Sequence, residues 1–359
     1  MVDNEKLEKS IDSGRNNLKT DRLDMSYGEI INMYKNKELI ISPQFQRLFR
    51  WDNYQRTRFI ESILLGIPTP PIFVAEDNKG NWELVDGLQR ISTVVSFFGF
   101  LRDDNNSNSN NNWAMDEGAL IKELEGYSSR NLPPLFIKNI KRTYCRVEII
   151  KWDSEYDMRY ELFNRLNTGG SPLKDQEIRN CIFRGTTEEF NDLLEELSQD
   201  ANFKRLIAIS EQRLKELYDQ ELILRFIALY NSELESINTK NMSEFMTNYM
   251  RKAVSNKDFD YDKCKIIFRK TMDILSCLEG GIFKFANNQF STSLYDAITV
   301  SIANNIEKYS TYSKGELEKV IEVLKSDDEF RKYVGAASSS RTRVVKRMER
   351  AFEIFNKGI

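Results

Sequence analysis

The strand signals in this chain of 359 residues all lie before Pro172, and beyond that proline almost every segment carries helical apolar spacing. The division points to an α+β fold in which a domain with a small mixed sheet is followed by an all-helical one. The boundary is expected near residue 175, giving a first domain over 1–175, with its core in 25–100 and 140–175, and a second over 176–359. Within the second, "ELILRFIALY", Glu221 to Tyr230, is so densely apolar that it predicts a central buried helix.

The first half alternates in character. "SYGEIINMYKNKEL" opens with Ser26 and Glu29 at capping-box spacing and carries Ile30, Ile31 and Tyr34 on one helical face. A second helix follows Asp52, with Gln55 three residues on, and runs through Phe59, Ile60 and Ile63 to Gly66. "IPTPP" forces extended backbone, and "IFVAE", the turn "DNKG" and "WELV" predict a hairpin. From Leu88 the residues Ile91, Val94, Val95 and Phe98 trace a helix ending near Gly99. "DDNNSNSNNN", residues 103–112, reads as a mobile surface loop. "CRVEIIKW" predicts a strand, and "EYDMRYELFNRLNTGG" a helix stopped by Gly169 and Gly170.

Histidine is absent, which removes Ser-His-Asp and Cys-His nucleophiles, histidine zinc sites and His-dependent metal nucleases. Chemistry must then run on carboxylates, Arg, Lys, Tyr, backbone amides and Mg²⁺, a set suited to phosphates. With 40% hydrophobic and 30% charged residues and a net charge of −3, the chain reads as globular, without a surface that is wholly a nucleic-acid clamp. Its polar N-terminus lacks a secretory signal and no apolar run approaches a membrane span, so a cytoplasmic location and no membrane partner are expected. Cys145, Cys181, Cys264 and Cys277 are far apart, with no metal or redox spacing, and are expected to be buried thiols.

Three clusters remain. In "WELVDGLQRIST" a strand meets Asp86 and Gly87, then Gln89 and Arg90 open a helix. A strand followed by Asp-Gly and a helix brings backbone N–H groups and a positive dipole end to one point, where anions bind. Arg90 can fork onto phosphate oxygens and Asp86 can hold Mg²⁺ or a water. Alternatively, Asp86 caps the helix and Arg90 pairs with a nearby carboxylate. "SPQFQRLFRW" sets Gln44, Gln46, Arg47 and Arg50 beside aromatics, and "FNRLNTGGSPLKDQEIRN" supplies Arg165, Asn167, Thr168, Glu177 and Arg179 around a helix end.

Taken in order, "PQFQRLFRW", "FIESILLGIPTPPIFV", "ELVDGLQRISTVVSFF" and "LFNRLNTGGSPLKDQEIRN" resemble the N-terminal domain of GmrSD-type modification-dependent restriction enzymes. The hallmark DGQQR of that domain is matched by Asp86, Gly87, Gln89 and Arg90, with Leu88 in place of the first glutamine. Its core is similar to the ParB and sulfiredoxin fold, in which the corresponding turn cradles nucleotide phosphates. The resemblance therefore implies a nucleoside triphosphate with Mg²⁺, bound and slowly hydrolysed within a prokaryotic restriction or anti-phage system. Asp86, Gln89 and Arg90 would be catalytic, Asp86 would meet the metal, and Gly87, Gln46, Arg47, Asn167 and Arg179 would complete the pocket. Sulfiredoxin chemistry needs a cysteine in this turn, which is absent, and no GxxxxGK[ST] occurs. In such enzymes a C-terminal His-dependent nuclease cuts DNA. A chain without histidine cannot build one, so a stand-alone module with a separate effector or nuclease protein is expected.

At the C-terminus, Arg343, Arg347 and Arg350 lie near one helical face with Lys346 adjacent, either as a solvated basic surface or as a phosphate or nucleic-acid contact. The alternatives to a triphosphate hydrolase are a DNA-binding adaptor that recognises modified or foreign DNA without turnover, and a structural subunit.

Overall fold

The computed structural model describes residues 4–17, 19–41, 51–77, 79–102, 111–152, 154, 162–163, 165–166, 174–184, 187–278, 281–285, 289–335 and 338–358. Gln44, Gln46, Arg47, Arg50, Asn167, Thr168, residues 103–110 and most of the helix expected over 155–170 lie outside them. The chain divides into two units, Met1–Leu173 and Lys174–Ile359.

The first unit holds helices α1 (Asn4–Asn17), α2 (Tyr27–Asn36), α3 (Asn53–Leu65), α4 (Leu88–Phe97) and α5 (Pro134–Arg142). Its strands are β1 (Thr20–Ser26), β2 (Leu39–Ile40), β3 (Ile72–Glu76), β4 (Trp82–Asp86) and β5 (Tyr144–Ile150), in the sheet order β1-β5-β3-β4-β2. The sheet is mixed: β1 runs antiparallel to β5 and β3 to β4, while β3–β5 and β2–β4 are parallel.

Local chemistry sets several of these ends. Asp52 starts α3 by accepting the Gln55 amide at 2.8 Å while Gln55 accepts the Asp52 amide at 3.1 Å, and Gly66 closes the helix with φ of 70°. Asp77 makes the hairpin turn by accepting the amides of Lys79 and Asn81, each at 2.8 Å. Tyr27, Ile30, Ile60, Ile63, Ile91 and Val95 from the helices close on Val74, Leu84, Val147 and Ile149 of the sheet, all nearly solvent-free. Burial of each such side chain stabilises the unit by about 1.5–3 kcal/mol. The buried Glu61 carboxylate accepts the amides of Leu120 and Ile121, both at 2.7 Å, which fastens this irregular segment to α3. Asn111 and Asn112, expected in the mobile loop, are instead half-buried, and Asn111 brackets Leu101 by accepting its amide at 3.0 Å and donating to its carbonyl at 2.7 Å.

The second unit is helical: α6 (Asp175–Arg184), α7 (Glu189–Ser198), α8 (Ala201–Ile207), α9 (Glu211–Lys215), α10 (Tyr218–Tyr230), α11 (Met242–Ser255), α12 (Tyr261–Leu275), α13 (Thr292–Asn304), α14 (Ile306–Tyr309), α15 (Lys314–Ser326), α16 (Asp328–Lys332) and α17 (Arg341–Lys357). As expected, α10 is central, with every residue from Leu222 to Leu229 buried. Its Arg225 meets Asp296 of the equally buried α13 through two bonds, 2.9 and 2.5 Å long. Arg347 of α17 adds a third to the same carboxylate at 3.0 Å. Two guanidinium groups thus share one carboxylate in the interior.

Of the cysteines, Cys145 and Cys264 are buried, whereas Cys277 is exposed because it follows the end of α12. That corrects the expectation of a buried thiol there.

Candidate functional site

The turn from β4 into α4 is shaped by a bulge, a glycine and an arginine. Phe73 pairs with Asp86 and Val74 with Leu84, so Val85 is an extra residue in β4. In a regular strand Asp86 would share the face of buried Leu84; after the bulge the Asp86 side chain is 39% exposed. Gly87 then takes φ of 100° as the N-cap of α4. A Cβ there would stand 2.5 Å from Ile72 Cγ2, so both the backbone conformation and the wall of β3 require glycine. Having no side chain, this cap offers no acceptor to the first-turn amides of α4. Asp86 does not cap the helix.

Arg90 closes the turn. Its Nη2 donates to Asp86 Oδ2 at 2.8 Å, and its Nη1 to the Pro71 carbonyl at 3.0 Å and to the Pro70 carbonyl. Its side chain is 13% exposed. Tyr27 and Cys145 lie close by and are buried, and burial pushes the phenol and the thiol up from their ordinary values, so both are neutral. The charge of Arg90 is therefore met by Asp86 and the two proline carbonyls. Asp86 Oδ1 lies outside this contact.

Gln89 links the turn to the neighbouring motif: its Oε1 accepts the Trp51 amide at 3.1 Å, and the Trp51 ring packs edge-on against Phe59 at 5.6 Å. On the other flank, buried Ile41 follows β2, which pairs with β4. Both flanks of residues 42–50 are thus anchored on the β4–α4 element. The expected site left out Trp51, Ile72 and the carbonyls of Pro70 and Pro71. "IPTPP" marked the last pair only as extended backbone.

The remaining candidates fall elsewhere. Arg179 is fully buried in the second unit, where it donates to Gln176 at 3.3 Å and Ser243 at 3.5 Å and lies 3.8 Å from Glu221. Glu177 Oε2 accepts the Lys174 amide at 2.7 Å, and Arg165 is exposed. Arg347, expected at a nucleic-acid surface, is 1% exposed and bound to Asp296 and the Ser338 carbonyl, so that expectation is corrected. It turns inward because Asp296 is buried on the facing helix. Arg350 is held by Asp327 and Glu353, each at 2.7 Å, Lys346 by Glu349 at 3.1 Å, and Arg343 donates to the Lys332 carbonyl at 3.0 Å. The surface part of this basic face is a mixed-charge face.

Among the described residues no group of three or more His, Cys, Asp or Glu could cage a metal ion. Mg²⁺ commonly takes one or two carboxylates and completes its shell with water and phosphate oxygens, a requirement that Asp86 fits. No helix among the described residues is long and apolar enough to cross a membrane.

The family described as GmrSD restriction endonuclease, N-terminal domain, matches residues 27–184, from the start of α2 to the end of α6. No curated protein and no solved structure matches the chain. The Asp86–Arg90 turn lies inside the matched stretch, so it is the segment 27–184 that is similar to the GmrSD N-terminal domain.

Proposed function

We propose that the β4–α4 turn binds a nucleoside triphosphate and hydrolyses it with Mg²⁺, as the sensing module of a restriction-type defence system. One observation carries this: the N-terminus of a ten-residue helix, without a side-chain cap, stands beside a half-exposed carboxylate at the end of a strand. First-turn amides of α4 and the helix dipole hold phosphate oxygens, and Gly87 lets them approach the backbone. Arg90 orients Asp86 and lends its charge to the rim. Asp86 Oδ1 holds the metal or a water, and Mg²⁺ supplies charge neutralisation of the phosphates when bound. Gln46 and Arg47, between the anchored flanks Ile41 and Trp51, and Asn167 are assigned as further contacts. Arg179 is left out because its partners already surround it. DNA contact by α17 is not proposed, since Lys346 and Arg350 are paired with carboxylates and Arg347 is buried on Asp296, which leaves only Arg343 of the four without a carboxylate partner among the described residues.

Calorimetric titration of the full chain with each common ribonucleoside triphosphate and Mg²⁺, alongside phosphate release, tests the assignment. Saturable binding that weakens in Asp86→Asn or Arg90→Ala supports it. Absence of binding to every triphosphate overturns it.

A further inference from the structure

Among the described residues the sheet ends at β1, and none of them pairs with its outer edge. The side chain of Arg22 is 74% exposed and that of Asp24 57%, while Leu23 is 43% exposed, high for an inward-facing strand leucine. The ladder to β5 shows which backbone groups remain. The Lys151 amide donates to the Lys19 carbonyl at 2.9 Å and the Tyr27 amide to the Thr143 carbonyl at 3.0 Å, so odd-numbered residues point toward β5. Thr20, Arg22, Asp24 and Ser26 consequently turn their N–H and C=O groups outward. The outward Arg22 amide is met by the carboxylate of Asp21 at 2.8 Å. Natural edges of this kind are blocked, charged or paired.

We propose that β1 pairs antiparallel with β1 of a second copy of this chain, about a twofold axis at Leu23, joining two five-stranded sheets edge to edge. The charges on the solvent face select this register. Within one copy, Arg22 bonds Glu148 at 3.0 Å and Asp24 bonds Arg146 at 3.1 Å, each pair directly across the strands. With the axis at Leu23, Arg22 faces Asp24 of the partner subunit, and the row reads Glu148, Arg22, the partner's Asp24, the partner's Arg146. Signs alternate along it, and the symmetric row does the same. Moving the axis by one residue either way sets Arg22 against Arg22 of the partner subunit, or Asp24 against the partner's Asp24. Like charges directly opposed destabilise a pair of strands. The axis at Leu23 also brings the two exposed leucines together on the inner face. Outward-facing backbone groups at four positions of each strand become paired, which displaces the Asp21 carboxylate from the Arg22 amide.

Sedimentation equilibrium of the full chain tests this, independently of the triphosphate assignment. A dimer is expected, and Asp24→Pro should weaken it at least tenfold, because it removes an outward donor without touching the ladder to β5. An unchanged circular dichroism spectrum confirms that the variant folds. A second variant fixes the register. Leu23 and Leu23 of the partner subunit form a non-hydrogen-bonded pair with Cα atoms about 4.5 Å apart, within disulfide reach. In a Cys277→Ser background, Leu23→Cys should oxidise to a covalent dimer and Asp21→Cys should not. A monomer at every concentration, or a dimer indifferent to Asp24→Pro, overturns the proposal, as does failure of Leu23→Cys to cross-link.

Discussion

Arg90 reaches back one helical turn to hold Asp86 Oδ2 at 2.8 Å, and the same guanidinium ties both to the carbonyls of Pro70 and Pro71. The residue expected to grip phosphate is also the one that builds the turn. Substitutions at the two positions should therefore have different signatures.

Arg90→Ala leaves two carbonyls and a carboxylate without their donor, so stability should fall by about 2–4 kcal/mol, on the scale of unsatisfied partly buried acceptors. Triphosphate binding should weaken with it. Asp86→Asn keeps an oxygen for Arg90 and removes only the charge. Its stability should stay within about 1 kcal/mol of the parent, while phosphate release drops on the order of a hundredfold if the carboxylate serves metal or water. Urea unfolding and a phosphate-release assay separate the two, and an Asp86→Asn protein with full turnover would remove Asp86 from the chemistry.

Gly87→Ala should destabilise by about 2–4 kcal/mol, from the left-handed conformation and from overpacking against Ile72. Gly66→Ala, with φ of 70° and open space around its Cβ, pays only the first and should lose about 1–2 kcal/mol. Equal losses in urea unfolding would show that the wall of β3 yields.

Legibility tracked whether partners were near in sequence. The cap of α3, its glycine stop, the β3–β4 hairpin and the buried α10 rest on neighbours or on periodicity, and all were readable. The strand β1 was not, because "TDRLDMS" has little apolar alternation and its support, Arg22 on Glu148 and Asp24 on Arg146, arrives from more than a hundred residues away. At the site, Asp86, Gly87, Gln89 and Arg90 stood out, whereas the bulge at Val85 and the proline carbonyls did not. A bulge leaves no signature in one strand alone, and a backbone acceptor leaves none in side-chain chemistry. The inward turn of Arg347 had a usable signal: Asp296 and Arg225 are isolated charges within apolar helical runs, which implies a buried pair.

That buried cluster carries an ordering. Asp296→Ala strands two guanidinium groups in the interior and should cost about 3–5 kcal/mol. Arg347→Met leaves Arg225 and Asp296 balanced and frees only the Ser338 carbonyl, so about 1–2 kcal/mol is expected. Burial and the neighbouring Arg225 charge oppose Arg347, in keeping with its lowered pKa. If chemical denaturation shows Arg347→Met to be the more damaging change, the shared carboxylate is not what holds the cluster.

Asp327 gives a dependence on pH with a definite sign. Hydrogen bonds from Arg350, and then the amide of Phe330, hold its carboxyl below the usual carboxylate range. A carboxyl depressed in the folded state binds its proton more weakly there than in the unfolded chain, so its stabilisation is complete above the unfolded value. It is lost as pH falls through the folded one. Asp327→Asn keeps a cap oxygen for α16 but loses the charge that Arg350 holds. The variant should be less stable than the parent near neutral pH, and the gap should close as acid protonates Asp327. Melting temperatures of both proteins from neutral pH downward measure it, and a gap that stays constant into acid would mean that the ion pair with Arg350 contributes nothing to stability.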